Sequence, residues 1–260
     1  MVWQLDDELW FPDPHWGEES GLVAVGGDLS AARLLLAYSN GYFPWYSFHD
    51  FGEPHWYCPL NRYVIFPNEI HVSHSMKQLL RQQHYEVTIN QDFYGVIFGC
   101  STAQGRNKED GAWLGSDIIE AYTKLHNLGF AASVEVWEHE PLSICNVEKD
   151  SNAEKYSEAV MKDNKAVGKD SKVENISESV KMGRRLVGGL YGVTLCNAFF
   201  GESMFSLVPN ASKLALIHLA LTMQNIGGRF IDCQFETPHF ASMGGRYITY
   251  EQYMKILRNN

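Results

Sequence analysis

The chain has 260 residues, with 21 Lys and Arg against 31 Asp and Glu and a formal net charge of -10. No run approaches the roughly 18 apolar residues of a membrane span, and the acidic opening MVWQLDDELWFPDPHW lacks the basic flank of a signal or transit peptide, so the sequence predicts a cytoplasmic protein. The acidity argues against sequence-independent coating of nucleic acid, which needs many Lys/Arg–phosphate contacts, without excluding a local basic patch.

The first ~65 residues are rich in aromatics, Pro and Gly. Gly26–Asp28 reads as a turn and not as a nucleotide loop. Ser30 is placed to cap a helix running to Asn40, with Ala31, Leu34, Leu35 and Tyr38 on one face and Gly41 beyond its end. A short helix over Ser75–Gln83 precedes a strand at Tyr85–Ile89. Ser116 to Leu128 reads as a helix capped by Ser116 and closed by Gly129, and Ala131–Trp137 alternates as a strand. Asn146–Met182 has eight acids, seven bases and one aromatic, too little apolar surface to offset its ordering entropy, and reads as a flexible insertion. Leu186–Thr194 and Ala198–Phe205 follow as strands, Asn210–Asn225 as a nearly all-apolar helix and Arg229–Phe235 as a strand. Helices between strands predict a mixed α/β or α+β sheet.

Three places carry possible chemistry. A strand period of two puts Phe230, Asp232 and Gln234 on one side of Arg229–Phe235, with Ile231, Cys233 and Phe235 on the other. Asp232 and Gln234 are then about 7 Å apart, either an edge-strand polar face or a pair that orients a nucleophile and polarises a carbonyl. Glu202, among bulky apolar residues in FFGESMFS, either points to water at a strand end or holds a cationic group such as an amine. Lys213 lies in the first turn after Asn210, either as a solvent lysine or at an anion site. Phe43, Trp45, Tyr46, Trp56, Tyr57 and Trp113 are core filler or stacking platforms for bases. Five scattered cysteines without a CxxC pair predict free thiols, and ten scattered histidines without an HExxH motif predict no metal; nothing indicates a cofactor.

The segments GLVAVGGDLSAARLLLAYSNGYFPW, HVSHSMK, SVEVW, LVGGLYGV, GESMFS, NASK and IDCQ occur in this order, and together they resemble the leucyl/phenylalanyl-tRNA–protein transferases. That resemblance implies an α+β chain with a small N-terminal domain over 1–65 and a GCN5-type N-acetyltransferase-like domain over 66–260, interrupted at about 146–182. It implies transfer of Leu or Phe, with Met as a further candidate, from aminoacyl-tRNA to the N-terminal amine of proteins beginning with Arg or Lys; no membrane partner and a monomer are expected. It further implies that Asp232, Gln234 and Glu202 are the catalytic residues. Trp45 and Trp113 would line the aminoacyl-adenosine site, with Phe199, Ser203, Met204 and Ile231 on or beside the pocket for the aminoacyl side chain. Lys77, Arg81 and Lys213 would meet tRNA phosphates, although SMKQLLRQQ is less basic than the family's usual helix. Leu219 stands where the family often has an aromatic, which implies a wider pocket. The alternatives are an acyl-CoA-dependent N-acetyltransferase, for which no R/Q-x-x-G-x-G loop is present, and a non-catalytic reader of basic N-termini.

Overall fold

Short, aromatic-rich strands near the N-terminus pair into the first of two sheets. The computed structural model describes residues 1–45, 53–102, 115–139 and 183–259. β1 (Trp3–Leu5), β2 (Leu22–Gly26), β3 (Phe43–Trp45) and β4 (His55–Tyr57) lie in the order β1-β2-β4-β3, with β1 and β2 parallel and the other pairs antiparallel. The GGD segment is a turn, with Gly26 and Gly27 at φ +84° and +71°. A Cβ on Gly27 would lie 2.9 Å from Cζ of Arg33, a wholly buried arginine that donates to the Asp6 carbonyl at 2.6 Å and to Asp28 at 3.2 Å. Only glycine fits both that dihedral and that approach. α1 (Ala31–Ser39) starts where the Ser30 hydroxyl accepts the Arg33 N–H at 3.2 Å, and it buries Leu34, Ala37 and Tyr38.

The second sheet has seven strands in the order β11-β5-β10-β9-β8-β7-β6. They are β5 (Asn61–Ile65), β6 (Tyr85–Ile89), β7 (Ala131–His139), β8 (Arg184–Leu195), β9 (Ala198–Ser206), β10 (Ile231–Gln234) and β11 (Arg246–Thr249). Only β9 and β10 pair in parallel, and α5 (Ala211–Asn225) makes the crossover between them. Helices α2 (His74–Gln82), α5 and α6 (Pro238–Ser242) contribute to the core on one face. Helices α1, α3 (Phe93–Thr102), α4 (Ser116–Asn127) and α7 (Tyr250–Arg258) contribute to the other, which also takes residues from the first sheet. Cover on both faces explains why β8 reads as an almost unbroken apolar run. Its Gly188 lets α5 come close, since a Cβ there would meet that of Ala211 at 2.4 Å. The RRLVGG segment therefore serves sheet–helix packing.

The structure departs from the sequence reading at several ends. α4 begins at Ser116 with Gly115, not Ser116, in the capping position and no side-chain cap. Asn210 precedes α5 in the left-handed region and caps nothing with its side chain; the Ser206 hydroxyl accepts the Ser212 N–H at 2.8 Å instead. α3 is a helix with no amphipathic pattern to announce it, because it is packed between the sheet and α4. The Asn146–Met182 segment lies outside the described residues. Among the described residues no helix is long and apolar enough to cross a membrane, and Cys58, Cys100, Cys196 and Cys233 are free thiols.

Candidate active site between two bulged strands

β9 and β10 pair at only two positions, Phe199 with Ile231 and Phe200 with Asp232. Beyond them both strands bulge. Gly201 faces Gly192 and Ser203 faces Tyr191, so Glu202 is an extra residue on β9. Asp232 faces Val64 and Gln234 faces Tyr63, so Cys233 is extra on β10. A bulge re-aims side chains and ends regular pairing. Here the two bulges open a cavity of about 190 Å³ between the strands, with Glu202, Asp232 and Gln234 all in its lining. Its apolar wall comes from Phe199, Met204, Ile231, Leu216, Leu219 and Phe240, and Ser203 adds a hydroxyl.

Glu202 is held by two helices. The Tyr38 hydroxyl on α1 donates to Oε1 at 2.7 Å, and the Tyr122 hydroxyl on α4 donates to Oε2 at 2.9 Å; the two hydroxyls also touch each other. Burial pushes the Glu202 carboxyl up to about 7, against the pull of the two tyrosine hydrogen bonds and of Arg62, while the Asp232 charge adds to the rise. Burial and the facing Glu202 charge push both phenols well above the ordinary tyrosine range, so they remain donors at neutral pH. The cluster is therefore a carboxyl that titrates near neutrality, steadied by two fixed O–H groups.

Asp232 is wholly buried and fully engaged. Arg62 Nε lies 2.9 and 3.0 Å from its two oxygens and Nη2 lies 2.9 Å from Oδ2. The Tyr253 hydroxyl donates to Oδ2 at 2.8 Å, and the backbone N–H of Gln234 donates to Oδ1 at 2.9 Å. Gln234 sits at φ +58°, and its amide nitrogen donates across the opening to the Gly201 carbonyl at 2.8 Å. The bulge breaks the period of two. Phe235 does not share a side with Ile231 and Cys233 but packs against Phe43 and Trp45, with ring centroids 5.8 and 5.4 Å away. Burial, and then the Asp232 charge, push the Cys233 thiol well above its ordinary range, which leaves it unreactive.

The remaining residues singled out from sequence divide into three groups. Phe199, Ser203, Met204 and Ile231 line the cavity. Trp45 is 37% exposed beside Tyr57 and Phe235 and is not in the cavity lining, whereas Phe43 and Trp56 are core residues. Trp113 and Tyr46 lie outside the described residues. Lys77 and Arg81 are exposed on α2, four residues apart and away from the cavity lining. Lys213 begins the helix whose Leu216 and Leu219 reach the cavity. Sequence reasoning missed Tyr38 and Tyr122 as ligands of Glu202, and Arg62 and Tyr253 as ligands of Asp232. Tyr38 was visible only as one more position on an apolar helix face. Arg62, a charge in the run NRYVIF, was the one detectable signal, because a charge in an apolar strand is costly without a partner. No cluster of three or more His, Cys, Asp or Glu able to hold a metal occurs among the described residues.

The family model for leucyl/phenylalanyl-tRNA protein transferase matches residues 64–145 and 172–258, and that for the N-terminal domain of the same proteins matches residues 27–60. A leucyl/phenylalanyl-tRNA–protein transferase of Syntrophus aciditrophicus is 41% identical over 251 residues, covering 96% of this chain and 85% of that protein. Those of Pseudomonas fluorescens and Flavobacterium johnsoniae are 39% and 36% identical, covering 100% and 99% of this chain and 95% and 100% of their own. A solved structure, titled crystal structure of FemX, is similar with a TM-score of 0.43 at 14% identity, covering 84% of this chain and 66% of that one.

Proposed function

The chain belongs to the leucyl/phenylalanyl-tRNA–protein transferase family, and from that premise we propose that it moves a leucyl or phenylalanyl group from aminoacyl-tRNA to the N-terminal α-amine of proteins beginning with Arg or Lys. Methionyl groups of similar length and flexibility are accepted too. The observation that carries this reading is the cavity between β9 and β10. Its greasy wall suits an unbranched-β side chain, and its lining gathers a carboxyl near neutrality and a carboxamide, the carboxyl backed by two buried phenols.

The reaction is ester aminolysis. The amine nitrogen forms a bond to the ester carbonyl carbon, the bond from that carbon to the ribose oxygen breaks, and one proton passes from nitrogen to the leaving ribose hydroxyl. A free α-amine has a pKa near ~7.7–8.0, so a useful fraction is neutral at pH 7 and little base strength is needed. Holding the two reactants together supplies most of the effect. Glu202, at about 7, takes the amine proton and returns it to the ribose oxygen, with Tyr38 and Tyr122 fixing its orientation. Gln234 lies against the reacting amine and carbonyl, and Asp232 acts through Gln234. Trp45 and Trp113 stack on the terminal adenosine. Phe199, Ser203, Met204 and Ile231 surround the aminoacyl side chain, and Lys77, Arg81 and Lys213 meet tRNA phosphates.

We read the seven-stranded sheet as a GCN5-type acetyltransferase-like domain, with the aminoacyl ester taken into the opening of its parallel strand pair; because β5 (Asn61–Ile65) is one of its strands, that domain starts at about 61 and not at the expected 66. The small domain, which carries the first sheet, then ends at about residue 60, where the N-terminal family match also ends. The unmatched residues 146–171 suit an insertion. The enzyme works as a cytoplasmic monomer. The test is transfer of labelled leucine from Leu-tRNA to an Arg-starting peptide, with acetyl-CoA as control donor. Leucyl-peptide supports the reading, acetyl-peptide replaces it with an acetyltransferase, and peptide binding without either product replaces it with a reader of basic N-termini.

A further inference from the structure

Asp232 cannot serve as an open anion for substrate. Both its oxygens are taken, by the Arg62 fork, the Tyr253 hydroxyl and the Gln234 backbone. Arg62 is itself held at Nε, at Nη2 and by two aromatic rings, while its buried Nη1 has no hydrogen-bond partner among the described residues. Its guanidinium carbon lies 4.7 Å over the Phe43 ring and 5.0 Å over the Tyr253 ring, and Nη2 donates to the Gly41 carbonyl at 2.8 Å. Gly41 lies just past α1, the helix that carries Tyr38. One buried guanidinium thus joins the first sheet, the helix behind Glu202, α7 and the β10 bulge. The left-handed conformation of Gln234 is uncommon for a residue with a side chain and must be held by its surroundings. Two hydrogen bonds hold it, from its N–H to Asp232 Oδ1 at 2.9 Å and from its side-chain amide to the Gly201 carbonyl at 2.8 Å.

We propose that Arg62 is a positioning residue for aminoacyl transfer: it locks Asp232, Asp232 locks the bulge, and the bulge aims the Gln234 carboxamide into the cavity. Asp232 then contributes to the reaction only through Gln234, and the basic side chain of the incoming protein is read by other groups. This inference rests on the transfer reaction proposed above.

The test is the Arg62→Lys variant, which keeps the charge but replaces a planar fork with a single point donor. With Leu-tRNA and an Arg-starting peptide, kcat falls about 100-fold, the loss expected when a reacting group is misplaced by roughly 1 Å. KM for either substrate stays within about threefold, because Arg62 touches neither. Residues acting as one unit lose activity together, so Arg62→Lys combined with Gln234→Ala is no slower than the slower single variant by more than about threefold. General loosening of the fold would instead raise both KM values and make the losses multiply, and that result overturns the proposal. A kcat for Arg62→Lys within twofold of wild type also overturns it. If Arg62→Lys does not fold, Tyr253→Phe decides: it removes one hydrogen bond to Asp232 and no charge, and an unchanged kcat overturns the proposal while a fall of about fivefold at constant KM supports it. Wild-type protein that transfers no leucine would defeat the transfer reading itself, an outcome separate from all of these.

Discussion

Replacing Tyr38 with Phe removes one of the two O–H groups that stabilise ionised Glu202, at 2.7 Å from Oε1, and leaves the ring in its core position. A hydrogen bond to a charged group contributes about 1.5–3 kcal/mol, and one pKa unit corresponds to about 1.4 kcal/mol, so the loss is worth one to two units. Tyr122 and water entering from the cavity recover part of it, leaving a rise of about one unit. The sign follows from the chemistry: the missing bond favoured the carboxylate, so the Glu202 pKa moves upward from about 7. At pH 7 the ionised fraction then drops from about one half to about one tenth, and kcat falls about fivefold. By pH 9.5 the variant returns to within about twofold of wild type. The assay is kcat for leucyl transfer between pH 5.5 and 9.5 at saturating peptide and Leu-tRNA. The substrate amine adds its own acid limb, but the same one in both proteins, so the displacement between the two profiles isolates Glu202. Superimposable profiles, or an acid limb displaced downward, would refute the assignment of Glu202 as the titrating group.

Glu202→Gln should also change stability in a pH-dependent way. The carboxyl titrates at about 7 in the folded chain and at 4.5 when unfolded, so the folded state holds the extra proton between those values. Wild type therefore loses stability as pH rises through that window, and the advantage of the Gln variant in denaturant unfolding grows from pH 5 to pH 8, to about 2–3 kcal/mol; an advantage independent of pH would contradict it. Leu219→Phe narrows the cavity wall, and since roughly a methylene's worth of apolar fit discriminates by about 1–3 kcal/mol, the Leu-to-Phe ratio of kcat/KM rises about tenfold or more. An unchanged ratio would remove Leu219 from the side-chain pocket. With few basic residues on offer, the log–log dependence of tRNA affinity on salt is shallow, and Lys213→Ala reduces its slope by about one. A slope unaffected by Lys213→Ala would take that residue out of phosphate contact.

The parts of this molecule legible in its sequence are those whose cause is local. Ser30 with its 3.6-residue apolar repeat announces α1, because that pattern is set by neighbours a few positions away; β7 alternates in sequence, but with both faces of the sheet covered Ser133 and Glu135 are as buried as Val134 and Val136. α3 has no such pattern, since Phe93, Val96, Ile97, Gly99 and Cys100 are buried on a helix apolar in almost every direction. The bulges at Glu202 and Cys233 were equally hidden: an extra residue exists only relative to a partner strand, and the partners Tyr191–Gly192 and Tyr63–Val64 are chosen by topology. The site follows the same division. Asp232 and Glu202 stood out because a carboxylate in an apolar strand is costly without a partner. Their partners lie 170 residues away at Arg62, 164 at Tyr38 and 80 at Tyr122, distances over which spacing carries no information. A buried carboxylate must find donors: Glu202 takes two phenols, Glu135 the Thr88 and Ser133 hydroxyls, and Asp232 a cation, since in the described strands of the seven-stranded sheet Arg62 is the arginine or lysine whose residue is buried. The pairing of Asp232 with the charge in NRYVIF links β5 to β10 and, through the Phe43 ring under the guanidinium, the first sheet to the β10 bulge.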